Sequence, residues 1–150
     1  MFRSLIATSD NRAATIARLA LGIVMFPHGA QKLLGWFGGY GYAGTMGFFG
    51  QMHIPAIFGT LAICAEFLGA LGLIVGLLGR VAAFGIACNM VVAVALVHGH
   101  VGFFMNWGGT QKGEGFEYHI LALALALVVM IYGSGAFSID RAMSRNGSVL

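Results

Sequence analysis

The stretch of sequence that decides the fold is residues 55–101, PAIFGTLAICAEFLGALGLIVGLLGRVAAFGIACNMVVAVALVHGHV. Glu66 and Arg80 are its only acidic or basic side chains apart from two histidines at its end, and Gly79 and Arg80 divide it into two apolar segments. An apolar segment of about 20 residues is long enough to cross the hydrocarbon core of a bilayer as a helix. The stretch therefore predicts two transmembrane helices, at about 55–78 and 80–101, joined by a tight turn.

Two further apolar segments, at about 13–35 and 116–136, pass the same length test. The second contains a Leu/Ala alternation at 121–127 that resembles a strand, but the length of the whole segment favours a helix. An isolated strand would also leave its backbone groups unpaired in lipid. The sequence thus predicts an all-α fold: a membrane-spanning four-helix bundle that forms one domain over residues 1–150.

The composition agrees with lipid as the main partner of this chain. It is 59% apolar and only 9% charged, whereas roughly a quarter of the residues of a soluble domain are charged. The net charge of +3 comes from arginines that stand singly near the ends of apolar segments, which argues against a nucleic-acid partner. Cys64 and Cys88 lie in apolar segments without a Cys-x-x-Cys pair, so no zinc or thioredoxin-like motif is indicated.

The distribution of basic residues predicts the orientation in the membrane. One side of the bundle would carry Arg3, Arg12, Arg18, Arg80, Arg141 and Arg145, and the other side only Lys32 and Lys112. By the positive-inside rule both termini are cytoplasmic. The first connection on the outer side, residues 36–54, has no Asp, Glu, Lys or Arg and is rich in aromatic residues, which predicts an interfacial or re-entrant segment between the first two long helices.

Ionisable side chains at membrane depth are functional hypotheses by default because they are costly to place there. In the orientation above, seven of them fall in the outer half of the bundle: His28, Lys32, Glu66, His98, His100, Glu117 and His119. The five histidine and lysine side chains in this set are candidates for ligand binding, and His28 and Lys32 share one helix face. Glu66 and Glu117 are candidates for catalytic proton transfer.

Structural roles remain open for several of these residues. Glu66 has no partner of opposite charge within four residues on its own helix, and Arg18 falls at a similar depth, which predicts a structural ion pair between them. Glu117 could instead be a carboxylate favoured at a helix N-terminus. A His-x-His spacing on a helix is weak support for metal, and haem needs opposed histidines, so we predict no metal site and do not favour haem.

Several short motifs follow one another along the chain: Arg18 with Leu21-Gly22, His28-Gly29, Lys32, Phe37-Gly38-Gly39, Glu66 with Gly69 and Gly72, Arg80, His98, Gly113 to Glu117, and Gly133-x-Gly135-x-x-Ser138-x-Asp140. Their order and spacing, over Arg18 to Asp140, resemble the DoxX family of small four-helix integral membrane proteins. The resemblance implies a bacterial inner-membrane protein, associated with thiosulfate and quinol oxidation and with resistance to quinones or oxidative stress.

Two functions follow from the polar residues and the resemblance. The first is a redox-associated protein that binds a quinone or similar small aromatic molecule in the outer half of the bundle. The sequence has no flavin, haem or iron–sulfur motif, so the electrons would come from a partner oxidoreductase subunit or directly from the substrate. The alternative is a non-enzymatic membrane scaffold or assembly factor, in which the polar residues only hold the helices in register.

Overall fold

The computed structural model describes the backbone of residues 2–146 and the side chains of residues 3–145. Residues 1 and 147–150 of the predicted domain lie outside the described residues. Within residues 2–146, seven α-helices follow one another: α1 (Phe2–Ile6), α2 (Arg12–Leu34), α3 (Gly41–Gln51), α4 (Ala56–Val75), α5 (Gly79–Leu96), α6 (Glu117–Tyr132) and α7 (Ile139–Asn146). Short 3-10 turns occupy Trp36–Gly38 and His98–His100. Residues 2–146 contain no strand, and the predicted all-α fold is confirmed.

The four long helices form a closed ring in which each packs against two others. Helix α2 contacts α4 and α6, and α5 contacts the same two helices from the opposite side. Side chains such as Leu21, Leu73 and Ile86 fill the centre and are fully buried. The outward faces are apolar as well, with exposed large side chains on every long helix. A bundle that is apolar on both sides is suited to lipid, not water.

Three of the predicted spans are long enough, and the fourth is shorter than predicted. Helices α2, α4 and α5 are long and apolar enough to cross a membrane, whereas α6 has only 16 residues and a length of about 24 Å. Gly133, with φ of 80°, ends α6 at Tyr132. The next residues, 133–136, are buried, and irregular backbone is tolerated at membrane depth where protein covers it.

The other helix ends also differ from the sequence boundaries. Helix α5 ends at Leu96, where the chain turns into the 3-10 turn at His98–His100, and α4 ends at Val75 because Gly76 adopts a left-handed conformation with φ of 73°. Gly76 thus terminates α4, since glycine takes this conformation without strain.

The aromatic connection between α2 and α4 folds into a short helix. Helix α3 packs against both neighbours, and Thr45, its one buried side chain, donates a hydrogen bond to the Lys32 carbonyl at 3.2 Å. Tyr40, Tyr42 and Phe48 remain exposed. The segment predicted as interfacial or re-entrant is thus a separate helix with an aromatic outer face, docked on one end of the bundle.

A row of residues on α2, which we call the α2–α4 seam, brings these two helices together. Arg18, Gly22, Met25, Gly29 and Lys32 recur at steps of four and three residues along this face. A Cβ atom added at Gly22 would lie 3.0 Å from the Cβ atom of the opposing leucine, and one added at Gly29 only 2.6 Å from backbone atoms of α4. Small residues therefore set the distance between these helices, as is common in membrane bundles.

One end of the bundle, the arginine end, is held together by the fully buried side chain of Arg18. Its guanidinium donates to the carbonyl oxygens of Leu73 and Ile74 in the last turn of α4. It also donates to Ser134 at 2.8 Å and to Phe137 at 3.3 Å, beyond the end of α6. The last carbonyl groups of a helix have no hydrogen-bond donor within the helix. The Arg18 guanidinium provides donors for the carbonyl groups of Leu73 and Ile74.

Asp140 completes this arrangement from the first turn of α7, and we call the two residues with their partners the clasp. Its carboxylate accepts hydrogen bonds from the backbone N–H groups of Leu78 at 2.8 Å and Gly79 at 3.0 Å, and from the Ser134 hydroxyl at 2.6 Å. Leu78 has a φ of 51°, which is unfavourable for a branched residue. The carboxylate thus stabilises the strained turn between α4 and α5.

The predicted ion pair between Arg18 and Glu66 is wrong. The carbonyl acceptors of Arg18 lie at the end of α4, whereas Glu66 lies seven residues from Leu73, about two helical turns or 10 Å along the axis. Glu66 pairs with Lys32 instead. Counting residues from the membrane surface gave similar depths but took no account of the unpaired carbonyls that are nearer to Arg18.

The orientation can be tested with two single cysteines in a variant whose native cysteines are replaced (Cys64→Ala, Cys88→Ala). Leu77→Cys lies in the turn between α4 and α5, and Thr110→Cys lies in the loop between α5 and α6; both positions are exposed. If the arginine-rich side is cytoplasmic, a membrane-impermeant maleimide added to spheroplasts, whose inner membrane is still sealed, should label Thr110→Cys. It should not label Leu77→Cys. The reverse pattern would overturn the orientation.

The hydrogen bonds of the clasp predict that a conservative substitution at Asp140 strongly lowers the free energy of unfolding. Asp140→Asn replaces one acceptor oxygen by an NH2 group that faces other donors, so it should lower the free energy of unfolding in detergent by at least about 2 kcal/mol. Asp10→Asn is the matched control, because Asp10 is itself exposed in its ion pair with Arg141, and the substitution should cost less than about 1 kcal/mol. Equal effects in thermal or denaturant unfolding would show that the clasp is not important for stability.

Candidate functional site

The other end of the bundle, the histidine end, contains a partly buried ion pair between α2 and α4. Lys32 Nζ lies 2.5 Å from Glu66 Oε2, and the side chain of Glu66 is 9% exposed. Gly29 lies one turn before Lys32, and a Cβ atom there would collide with the backbone of Glu66 and Phe67. The close approach of the helices at Gly29 therefore brings the two charges into contact.

Aromatic and imidazole rings extend from this ion pair across the end of the bundle. The ring centroids of His28 and Tyr118 are 5.9 Å apart, those of Tyr118 and His119 are 5.5 Å apart, and those of His119 and His98 are 4.2 Å apart. His28 belongs to α2, Tyr118 and His119 to the first turn of α6, and His98 to the 3-10 turn after α5. Residues far apart in sequence thus meet at one end of the fold.

These side chains form what we call the polar cluster: His28, Lys32, Glu66, His98, Tyr118 and His119. The Lys32–Glu66 ion pair and the three histidine rings lie at the same end of the bundle. The cluster therefore combines a neutralised ion pair with three imidazole rings and a phenol. Groups of these types can donate to a carbonyl oxygen, accept from a hydroxyl group, and exchange protons.

His119 has an unused hydrogen-bonding atom. The residue is 5% exposed, and its Nδ1 atom is buried without a hydrogen-bond partner in the part of the chain that the structure describes. A buried polar atom without a partner costs about 1 to 3 kcal/mol. Its neighbour His98 is held differently, since His98 Nδ1–H donates to the Glu114 carbonyl at 2.8 Å, which leaves the Nε2 atom of the neutral ring as an acceptor.

A groove of about 620 Å³ lies between α3 and the last turns of α2 and reaches the polar cluster at Lys32. Its lining is mainly aromatic and glycine, with polar atoms from two glutamines; the principal residues are Gln31, Tyr40, Phe48, Phe49 and Gln51. Sites for small molecules have volumes of this size and a mostly apolar lining with a few polar groups. The groove therefore offers space for an aromatic molecule beside the Lys32–Glu66 ion pair.

Five of the seven polar residues predicted from the sequence meet in the cluster, and two do not. The Glu117 carboxylate turns to the preceding loop, where it accepts hydrogen bonds from Met105 N–H at 2.8 Å and from the Trp107 indole at 3.3 Å. His100 is exposed on its 3-10 turn. The chain leaves helix α5 at Val97 and enters a 3-10 turn, so His98 and His100 do not follow α-helical geometry. Only His98 packs against His119.

Tyr118 is the member of the cluster that the sequence analysis missed. Its hydroxyl group contacts the sulfur of Met25 at 3.3 Å, and its ring lies between two histidines. A signal was present, because Tyr118 directly precedes His119 and adjacent helical residues point only about 100° apart. The candidates were limited to charged and imidazole side chains, and Tyr118 carries a phenol. A phenol can also donate a proton.

Fold and site together define a small helical integral membrane protein with a polar cluster at one end of its bundle. The model of the DoxX family matches residues 13–99, and the curated inner membrane protein YqjF of Escherichia coli (strain K12) is 31% identical over 130 residues, which are 87% of this chain and 91% of that protein. The chain belongs to the DoxX family, as the motifs predicted. No solved structure matches it significantly. The matched range includes His28, Lys32, Glu66 and His98.

The Lys32–Glu66 contact predicts coupled effects on stability. Glu66→Gln alone leaves the Lys32 cation without its partner, and Lys32→Met alone leaves the Glu66 carboxylate without its own. The double variant Lys32→Met/Glu66→Gln should therefore be coupled: its loss of unfolding free energy should be at least about 1 kcal/mol smaller than the sum of the two single losses. The measurement is unfolding in detergent.

A second pair of substitutions serves as the control for this coupling. Arg18→Lys keeps the charge of the clasp, and its cost should add to that of Glu66→Gln within about 0.5 kcal/mol, because the two side chains do not touch. Coupling between Arg18 and Glu66, together with additivity between Lys32 and Glu66, would contradict the arrangement described above.

Proposed function

We propose that this chain is a bacterial inner-membrane protein that binds the head group of a quinone, or a similar small aromatic molecule, at the polar cluster. It would act as a subunit of a quinone-linked oxidoreductase or of an oxidative-stress system. The observation that carries the proposal is the buried Nδ1 atom of His119, which has no partner within the described residues and lies beside the rings of Tyr118 and His98. A bound polar ligand would remove the cost of this unpaired atom.

The cluster has suitable groups for both oxidation states of such a ligand. A quinone carbonyl oxygen accepts hydrogen bonds, and His28 and Tyr118 can donate them. A hydroquinone hydroxyl group donates, and His119 Nδ1 can accept from it and take its proton. Conversion between the two forms moves two electrons and two protons. Glu66, paired with Lys32, is the nearby carboxylate for the second proton. When a quinone is reduced, a partner subunit or a reduced substrate would supply both electrons, and His119 and Glu66 would deliver the two protons. When a hydroquinone is oxidised, the partner subunit would accept both electrons and the same two groups would take the two protons.

Access from lipid supports a membrane-soluble ligand. His28 is exposed on α2 at the junction with α6, which is the least extensive of the four helix contacts in the ring. On the other side of Lys32 the aromatic groove under α3 is open. A flat aromatic molecule could reach the ion pair from either direction without crossing the packed core.

Placement in the inner membrane, with the histidine end facing outward, belongs to the same proposal. The relative from Escherichia coli is named as an inner membrane protein, and the arginines concentrate at the opposite end of the bundle. The positive-inside rule then directs the polar cluster to the outer leaflet. Protons released at the cluster would reach the outer side over the shorter distance.

The proposal can be tested with matched histidine substitutions. His28→Asn and His119→Asn should each lower the affinity for a water-soluble quinone analogue by at least about tenfold, equivalent to 1.4 kcal/mol, because each removes a partner of the head group. The measurement is a titration of purified protein in detergent, followed by calorimetry or tryptophan fluorescence. The same samples are extracted with organic solvent, and the extract is examined for a stoichiometric quinone by its absorption spectrum.

The control is His53→Asn. His53 is exposed, outside the cluster, and has a φ of 57°, a conformation that Asn tolerates well. The affinity of the His53→Asn variant for the quinone analogue should equal that of the wild type. Thermal stability is recorded for every variant, so that a loss of affinity caused by unfolding is recognised. If the wild type shows no saturable binding, or if the cluster variants bind as it does, the quinone site is refuted and the scaffold or assembly function is the better account of the cluster.

A further inference from the structure

The groove under α3 is larger than one aromatic ring needs, and most of its polar side chains already have partners. Its volume is about 620 Å³, whereas a cavity of about 150 Å³ is enough for benzene. The Lys32 amine pairs with Glu66, and the Thr45 hydroxyl donates to the Lys32 carbonyl. The Gln31 amide donates to the Phe37 carbonyl at 3.2 Å. The groove therefore suits an apolar occupant better than a polar head group.

The groove is continuous with the polar cluster, because Lys32 lines the groove and also forms the ion pair of the cluster. Phe48 and Phe49 of α3 provide its aromatic surface. Phe49 packs on the start of α4, since a Cβ atom added at Gly59 would lie 2.9 Å from the Phe49 ring. A molecule whose head group lies at the cluster can therefore extend past Lys32 into the groove without entering the packed core.

Two glycines define the open and the closed side of this groove. Gly47 of α3 lines it and is exposed, and a Cβ atom added there would meet no surrounding heavy atom of the described residues within 4 Å. Gly39 lies on the other side, where a Cβ atom would collide with the backbone of Gln31. The groove is therefore closed towards α2 and open at Gly47, which gives a flexible chain a way out to lipid.

We infer that the ligand of the polar cluster carries a hydrocarbon tail, and that the groove under α3 holds the part of the tail nearest the head group. The inference rests on the proposed function and narrows the ligand from a small aromatic molecule to a tailed, membrane-soluble quinone. The other way out of the cluster, between α2 and α6 near His28, would require these helices to separate. The groove is already open, so the tail lies on the α3 side, against Phe48 and Phe49.

The test titrates the full chain in detergent with two fully substituted benzoquinones, one with a decyl chain and one with a methyl group in its place. Full substitution prevents Cys64 and Cys88 from adding to the ring. Gly47→Leu fills the groove and should lower the affinity for the decyl compound at least about tenfold, the effect of roughly two methylene groups left unburied. The affinity for the methyl compound should stay within about twofold of the wild type.

Gly50→Leu is the matched control for Gly47→Leu. Gly50 lies on the same helix and is equally open to an added Cβ atom, but it does not line the groove. This variant should bind both compounds as the wild type does. Each comparison is made between variants with the same compound, so the partition of the decyl chain into detergent cancels.

The outcomes separate the groove from the quinone site itself. If Gly47→Leu binds the decyl compound as the wild type does, or weakens both compounds equally, the tail does not lie in the groove and the inference is overturned. The quinone site would still stand if the methyl compound binds and His119→Asn weakens it. Decylbenzene has the tail but no carbonyl, and if it binds as tightly as the decyl quinone, the groove is a general lipid site and the inference is again overturned. A wild type that binds neither quinone saturably refutes the proposed function and the inference together.

Discussion

The close approach of α2 and α4 is the constraint on which the rest of the structure depends. Lipid chains are as apolar as leucine side chains, so helices in a bilayer associate through close packing and polar contacts, not through exclusion from water. Gly22 and Gly29 allow that packing, because a Cβ atom at either position would collide with α4. The same face of α2 carries Arg18 before the glycines and Lys32 after them, and each finds its acceptors on α4. Two glycines thus fix the register at both ends of the bundle.

The two ends use buried polar groups for different purposes. In the clasp, Arg18 and Asp140 are 1% exposed and have several hydrogen bonds each, and a fully bonded buried network stabilises one arrangement of the chain. At the histidine end, Glu66 has one partner and His119 Nδ1 has none within the described residues. The first pattern is typical of a structural element. The second leaves hydrogen-bonding capacity at His119 Nδ1, which the proposed function assigns to a ligand.

Much of the fold was predictable from the sequence, but the contacts between helices were less so. Apolar length located all four long helices, because the bilayer imposes that length directly. Their ends were harder to predict, since Gly76 and Gly133 stop the helices while the sequence stays apolar. The prediction that Arg18 pairs with Glu66 was wrong for a related reason. Depth along a helix is readable from residue number, but the direction in which a side chain points across the bundle depends on packing that one sequence does not show.

The polar cluster is divided between a packed half and a looser half, and this division bears on how a ligand can enter. Lys32 and Glu66 belong to the α2–α4 seam, which the glycines hold tightly. Tyr118 and His119 come from α6, outside the residues matched by the family model, and α6 meets α2 through the least extensive contact in the ring. Separation of α2 from α6 near His28 would therefore open the cluster to lipid and leave both the ion pair and the clasp intact. On the proposed function, a ligand bound between these halves would contact a fixed charge pair on one side. On the other side it would contact the His119 ring, whose Nδ1 atom has no hydrogen-bond partner among the described residues, so the α6 side would determine which ligand binds.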